Sequence, residues 1–223
     1  MQSRTKMVLG EENLKKINKS NLIIFGIGGV GGFVGEMFVR LGIKKITVVD
    51  FDKVDKTNMN RQILALNSTI GKNKTDVFFD RAKDINSYCN VIAKNIKLNK
   101  ENICEFFKEK YDYVIDCIDD VNAKVFLAKY CYENKIKIIS SMGTGNRYKD
   151  IPNFEVVDIY KTSYDKLAKK IREALRKENV KKLNVVYTKQ PPEKTKGLGS
   201  VVYYPLMCAG TIVSFVVNEV IKQ

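Results

Sequence analysis

"IIFGIGGVGGFVGEMFVRLGIKKITVVDFD" (residues 23–52) decides the fold. An apolar run enters Gly26-x-Gly28-x-x-Gly31. Small and apolar residues then recur at helical spacing through Val30, Val34, Phe38 and Leu41, and a second apolar run ends in Asp50. In such a strand–loop–helix–strand unit, Gly26 permits a tight turn, Gly28 lets backbone approach a phosphate, and Gly31 lets the helix pack closely on the sheet. The helix start offers unpaired N–H groups to an anion. Asp50, at the second strand's tip, is placed to accept hydrogen bonds from ribose hydroxyls. All of this fits NAD as well as ATP.

Working outward, a short polar helix is expected over 11–19, with strands over 22–26 and 44–50 and an amphipathic helix over 73–86. Further strands follow from "NVIAKNIKLN", "YDYVIDCIDD" and "IKIISS", with helices over 101–110 and 122–133. This alternation predicts an α/β fold, a doubly wound and mostly parallel Rossmann-like sheet. The last third reads differently: strand "FEVVDIY", a basic amphipathic helix with Leu167, Ile171 and Leu175 inward, strand "LNVVYT" and a mobile loop "KQPPEKTKGLGS". We therefore expect a nucleotide-binding core over 1–145 and a mixed C-terminal extension of the same domain over 146–223.

Composition narrows the chemistry. The chain has no histidine, which removes Ser-His-Asp catalysis, histidine metal ligation and imidazole acid–base work. Five scattered cysteines without a C-x-x-C pair suit reduced thiols in a cytosolic protein. The N-terminus lacks an apolar signal core, so export is not expected. "VVYYPLMCAGTIVSFVV" (201–217) approaches the length of a bilayer span, but Pro205 and Gly210 interrupt it. A buried strand–turn–helix is the preferred reading, with C-terminal membrane association as its alternative. The formal charge is +14, and between Lys161 and Lys196 twelve Lys or Arg face four Asp or Glu. Such clustering fits either a solvated helix face or a polyanionic partner.

Beyond Asp50 the chain reads "DFDKVDKTNMNRQILALNSTIGKNK", bringing Asn58, Arg61, Gln62 and Lys74 close behind the ribose acid. A nicotinamide site needs an apolar slot and has little use for two cations. A triphosphate needs them, because charge on the β,γ-phosphates must be neutralised as pyrophosphate leaves. Asp119, ending a later strand, would face the same edge, and a carboxylate opposite phosphates suggests Mg²⁺ between them.

The whole set resembles the ubiquitin-activating-enzyme-like adenylating family, which includes the activating enzymes of thiamine and molybdopterin biosynthesis. The resemblance rests on Gly26-Ile27-Gly28-Gly29-Val30-Gly31, Asp50-Phe51-Asp52, Asn58-Met59-Asn60-Arg61-Gln62, Gly71-Lys72-Asn73-Lys74 and Asp116-Cys117-Ile118-Asp119. It implies a homodimer that makes an acyl-adenylate from a carboxylate and ATP with Mg²⁺. Asp50 would hold the ribose, Asn58, Arg61 and Lys74 the phosphates, and Asp119 the metal. "SRT" near the start is similar to a segment that sends an arginine, here Arg4, into the neighbouring subunit's site.

Sulfur-carrier activators of this family bind a structural zinc through two C-x-x-C pairs and often relay sulfur through a late cysteine. Neither pair is present, residues 132–207 contain no cysteine, and Cys208 is the remaining candidate. No structural zinc is expected. "SMGTGNR", "FEVVDIYKTSYDKLAKKIREALRK", "KKLNVVYTK" and "GLGSVVYYPLMCAGTIVSFVVNEVIK" instead resemble the branch of tRNA threonylcarbamoyladenosine dehydratases. That branch implies a tRNA partner for the basic segment, with Tyr164 or Tyr187 as stacking candidates, Tyr187 more consistent with packing. A sulfur-transfer protein is a further possible partner, and a cytoplasmic location is implied. Two alternatives stay open: activation of a ubiquitin-like sulfur carrier, and an NAD-binding oxidoreductase or redox sensor.

Overall fold

A computed structural model describes residues 2–222. Its strands are β1 (Asn21–Phe25), β2 (Lys45–Val49), β3 (Asn90–Lys94), β4 (Tyr113–Asp116), β5 (Ile138–Ser141), β6 (Glu155–Asp158) and β7 (Asn184–Tyr187). The helices are α1 (Ser3–Lys19), α2 (Gly31–Leu41), α3 (Lys74–Ile85), α4 (Ile103–Phe106), α5 (Val121–Glu133), α6 (Lys166–Lys177) and α7 (Tyr203–Ile221). All the strands join one sheet in the order β3-β2-β1-β4-β5-β7-β6, parallel except for the antiparallel β6–β7 pair. The doubly wound, mostly parallel sheet expected from the sequence is therefore observed, and the C-terminal strands extend it.

β1 lies inside the sheet, paired with β2 on one side and β4 on the other. Leu22, Ile23, Ile24 and Phe25 are all buried, as a central parallel strand covered on both faces requires. Alternation divides them. Leu22 and Ile24 join a core with α2, α3 and α7, whereas Ile23 and Phe25 pack with Phe106, Leu127 and Cys131 on the opposite face. A third cluster binds α6 through Ile171 and Leu175 to Val185, Tyr187 and Ala128. Leu167 is only half-buried, and Ala168 takes the inward place beside Ile171 and Leu175.

Two elements differ from the sequence reading. α1 begins at Ser3, ahead of the expected 11–19, with a kink at Gly10 where φ is +78°. The apolar stretch 201–217 contains no strand; α7 takes it up from Tyr203 and runs unbroken to its end. Pro205 falls in the first turn, where an N–H would lack an intrahelical partner in any case. Gly210 costs helix propensity only. By length and composition α7 could cross a membrane, with mean hydropathy 1.5, but it packs here against α1, α2 and the sheet. Tyr204, Cys208, Ile212 and Val216, four residues apart, form its fully buried stripe.

Candidate active site

A cleft of about 880 Å³ opens where β1, β2, β4 and β5 end, at the point where the strand order reverses direction. Its floor is the glycine loop. Gly26 has φ +82°, and a Cβ there would lie 2.8 Å from the carbonyl oxygen of Cys117; one on Gly31 would lie 1.9 Å from that of Gly26. No larger residue fits either position. At Gly28 the nearest protein atom to such a Cβ is the Gln62 amide nitrogen at 3.6 Å, so what this glycine keeps clear is the cleft itself. Gly29 also lines the cleft, whereas Gly31 serves from behind as the packing glycine.

Asp50 braces the loop as well as facing the cleft. Its Oδ2 accepts the Ile27 N–H at 2.8 Å and its Oδ1 the Asp52 N–H at 2.9 Å. Burial pushes its carboxyl above the ordinary aspartate value, against the opposing pull of Lys74 and the two N–H donors. Each oxygen retains a further lone pair for a ligand hydroxyl. Beside it, Lys74 opens α3 with Nζ 2.8 Å from Asp52 Oδ2, and its side chain is only 6% exposed. A cation held so deeply beside the glycine loop faces the place an anion would occupy.

The segment between Asp52 and Lys74 brings the remaining residues in. Asn58 closes a 3₁₀ turn, Lys56–Asn58, its Oδ1 accepting the Asp55 N–H at 3.1 Å. Arg61 Nη1 donates to the Thr57 carbonyl and to Asn60 Oδ1, both at 2.9 Å, which anchors one end of the guanidinium while the residue lines the cleft. Gln62 is buried, and its Oε1 has no hydrogen-bond partner. A buried acceptor left unpaired costs about 1–3 kcal/mol. That oxygen is sealed from the cleft, and it is the Gln62 amide nitrogen that lies toward Gly28. The fit to a nucleotide rests on the space kept clear over Gly28, the Asp50 carboxylate and the two cations, Arg61 and Lys74.

Asp119 lies exposed in the cleft wall and has no hydrogen bond or ion pair among the described residues. Asp120, next to it, is occupied as the N-cap of α5. Among those residues no three His, Cys, Asp or Glu side chains gather as a metal site. Asp119 could therefore supply one carboxylate to Mg²⁺ whose other ligands come from phosphates and water, the usual manner for this ion.

Arg4 is exposed on α1 and does not line the cleft of its own chain. Cys117 does line it, but burial pushes its thiol up to about 12. Cys208 is fully buried in the core and its thiol is raised well above the ordinary value, so the fold does not offer it as a nucleophile. Tyr187 is fully buried and cannot meet a base; Tyr164 is 71% exposed. Of the twelve cationic side chains between Lys161 and Lys196, all but Arg172 are exposed.

Two buried pairs behind the cleft escaped the sequence reading. Lys124 Nζ sits 2.9 Å from Asp116 Oδ2, and Arg147 Nη2 sits 3.5 Å from Asp165 Oδ2. Arg147 also donates to the carbonyls of Gly143, Gly145 and Gln190, and so shapes the 143–145 loop that forms the far wall of the cleft. Nothing in the sequence distinguishes these two cations from the other thirty-seven of the chain's 39.

Fold and cleft together define an α/β protein of the doubly wound class with a glycine loop and two cations, Arg61 and Lys74, lining one cleft. The model of the ThiF family matches residues 2–222, and the chain belongs to that family. It is 41% identical to the tRNA threonylcarbamoyladenosine dehydratase of Bacillus subtilis over 191 residues, covering 85% of this chain and 75% of that protein. The Haemophilus influenzae protein of the same name is 38% identical, with 83% and 75% covered. The solved structure of the Escherichia coli tRNA N6-threonylcarbamoyladenosine dehydratase in complex with ATP superposes with a TM-score of 0.92 at 31% identity, covering 98% of this chain and 93% of that one.

Proposed function

We propose that this chain is an ATP-dependent adenylating enzyme that dehydrates and cyclises threonylcarbamoyladenosine in tRNA. The observation that carries the nucleotide chemistry is that Lys74 and Arg61 line the same cleft as the glycine loop. Two cations there suit a triphosphate and disfavour a nicotinamide.

The reaction has two displacements. A carboxylate oxygen of the substrate's threonyl group attacks the α-phosphorus of ATP, and pyrophosphate leaves with the electrons of the broken P–O bond. Arg61, Lys74 and Asn58 would bind the phosphates and spread the departing charge. Asp50 would orient the ribose, with Asp52 holding Lys74 in place, and Asp119 would hold Mg²⁺ against phosphate oxygens. The ureido group of the same side chain then attacks the acyl-adenylate carbonyl, loses a proton, and expels AMP. Because nucleophile and electrophile share one side chain, proximity replaces a thiol relay. That agrees with a cleft whose thiol, Cys117, is held protonated.

The exposed cations of 161–196 would follow tRNA phosphates. We further propose a homodimer in which Arg4 reaches the partner's phosphates, a cytoplasmic setting with the tRNA, and room for a sulfur-transfer partner. The test is direct: incubation with ATP, Mg²⁺ and tRNA carrying threonylcarbamoyladenosine, followed by mass analysis of the nucleosides. Loss of one water is expected. Its absence, or activity dependent on a carrier protein ending in Gly-Gly, overturns the reading.

A further inference from the structure

Among the described residues, four other than glycine have positive φ: Lys135, Asn146, Tyr164 and Asn179. Asparagine tolerates this region because its short amide bonds locally, but a bulky ring there carries strain. Tyr164 has φ +54°, is 71% exposed, and has no hydrogen bond or ring partner among the described residues. Its own contacts return nothing for that strain.

The turn itself has an evident purpose. It delivers Asp165, whose Oδ1 accepts the Ala168 N–H at 2.8 Å as the cap of α6 and whose Oδ2 accepts the Gly143 N–H at 3.0 Å. Gly143 lines the cleft, and so does Leu167 in the first turn of α6. Glycine or asparagine would hold the same turn at lower cost, so the geometry accounts for Asp165 and leaves the aromatic ring unaccounted for. That ring stands in water one residue from a contact to the cleft wall. The exposed Lys166, Lys169 and Lys170 follow at once.

We propose that Tyr164 is the stacking platform for an unpaired nucleobase flanking the modified nucleoside, held at the cleft mouth while the α6 lysines take the neighbouring phosphates. An unobligated aromatic face beside cations is the chemistry that recognises single-stranded RNA, by stacking and without base-edge readout. The proposal rests on the RNA-substrate reading and adds a residue and a contact type to it.

The chain has no tryptophan, so Tyr164→Trp installs a single tryptophan at the platform, excited selectively at the red edge where the remaining tyrosines do not absorb. It is titrated with an anticodon stem–loop and, separately, with a blunt RNA duplex of equal length. Saturable quenching by the stem–loop and none by the duplex is expected. Tyr164→Ala should weaken stem–loop binding by about tenfold, the scale of one base–aromatic stack, with Tyr164→Phe binding like the wild type. Tyr164→Asn should bind as weakly as the alanine variant yet melt no lower than the parent, separating recognition from folding. Equal quenching by both RNAs, wild-type affinity of the alanine variant, or loss of binding in the phenylalanine variant would each overturn the platform. None of these readouts needs turnover, so failure of the wild type to dehydrate tRNA is scored separately, against the proposed reaction.

Discussion

Lys124 and Asp116 form an ion pair beneath the cleft, 2.9 Å apart with side chains 1% and 0% exposed. Ser140 donates to the same carboxylate oxygen at 2.6 Å, and the other oxygen accepts the Ile118 N–H at 3.0 Å. One carboxylate thus ties α5 and the tips of β4 and β5 to the loop that presents Asp119. Lys124→Met should leave this carboxylate buried without a counter-charge and cost about 3–5 kcal/mol in urea unfolding. The double variant Lys124→Met, Asp116→Asn should recover part of the loss, since both charges are then gone.

Arg61 and Asp119 sit on the wall of the cleft and not in the core, so their loss should separate chemistry from folding. Arg61→Ala is expected to lower pyrophosphate release by about 10²–10³-fold, the usual effect of removing one group that stabilises transition-state charge. Asp119→Ala should be at least as severe, with activity in the wild type falling on Mg²⁺ chelation. Both variants should stay within about 0.5 kcal/mol of the parent in unfolding, as expected for changes outside the core.

Two carboxylates should respond to pH with opposite sign. Burial raises Asp50 above its ordinary value of 3.8, so the folded state binds this proton more tightly than the unfolded chain does. Its contribution is present below pH 3.8 and is lost as pH rises through the raised value. On acidification the wild type should therefore gain stability relative to Asp50→Asn. Glu36 behaves conversely: burial pushes it up, but hydrogen-bonded Arg81 and Arg40 outweigh this and hold it below 4.5. Its contribution is present above pH 4.5 and disappears as pH falls through the lowered value. Glu36→Gln should cost about 2 kcal/mol at neutral pH, typical of charged hydrogen bonds, and nothing once the wild-type group is protonated. Thermal or urea unfolding across pH 3–7 checks both.

Replacing Lys166, Lys169, Lys170 and Lys177 by serine removes exposed charge from one helix. The plot of log affinity for tRNA against log salt should become shallower by about one unit for each phosphate that is no longer neutralised. ATP affinity should not change. An unaltered salt slope would return these lysines to a solvated surface.

The residues legible in advance share a property: each is demanded by local geometry or by charge density along the chain. Gly26 and Gly31 are required by the close approach of the loop to its own strand and neighbour, and the Arg61–Lys74 run is dense enough to be seen as a cluster. Gln62 belongs to that run, but its unpaired oxygen follows only from burial beneath the loop. The apolar C-terminal helix is legible, but the strand and turn expected before it are not there: Pro205 and Gly210 read as interruptions until Pro205 lands in a first helical turn, where it costs little.

By itself the sequence determined the strand–loop–helix unit, the parallel winding and the cluster of cations behind Asp50, because steric and electrostatic needs within a few turns of chain leave one solution. Only the tertiary structure decided that Lys124 answers Asp116, that Arg147 answers Asp165 to build the far wall, and that Cys117 and Cys208 are silenced. Those outcomes depend on which groups lose water together, and desolvation is a property of the packed molecule that no single stretch of chain contains.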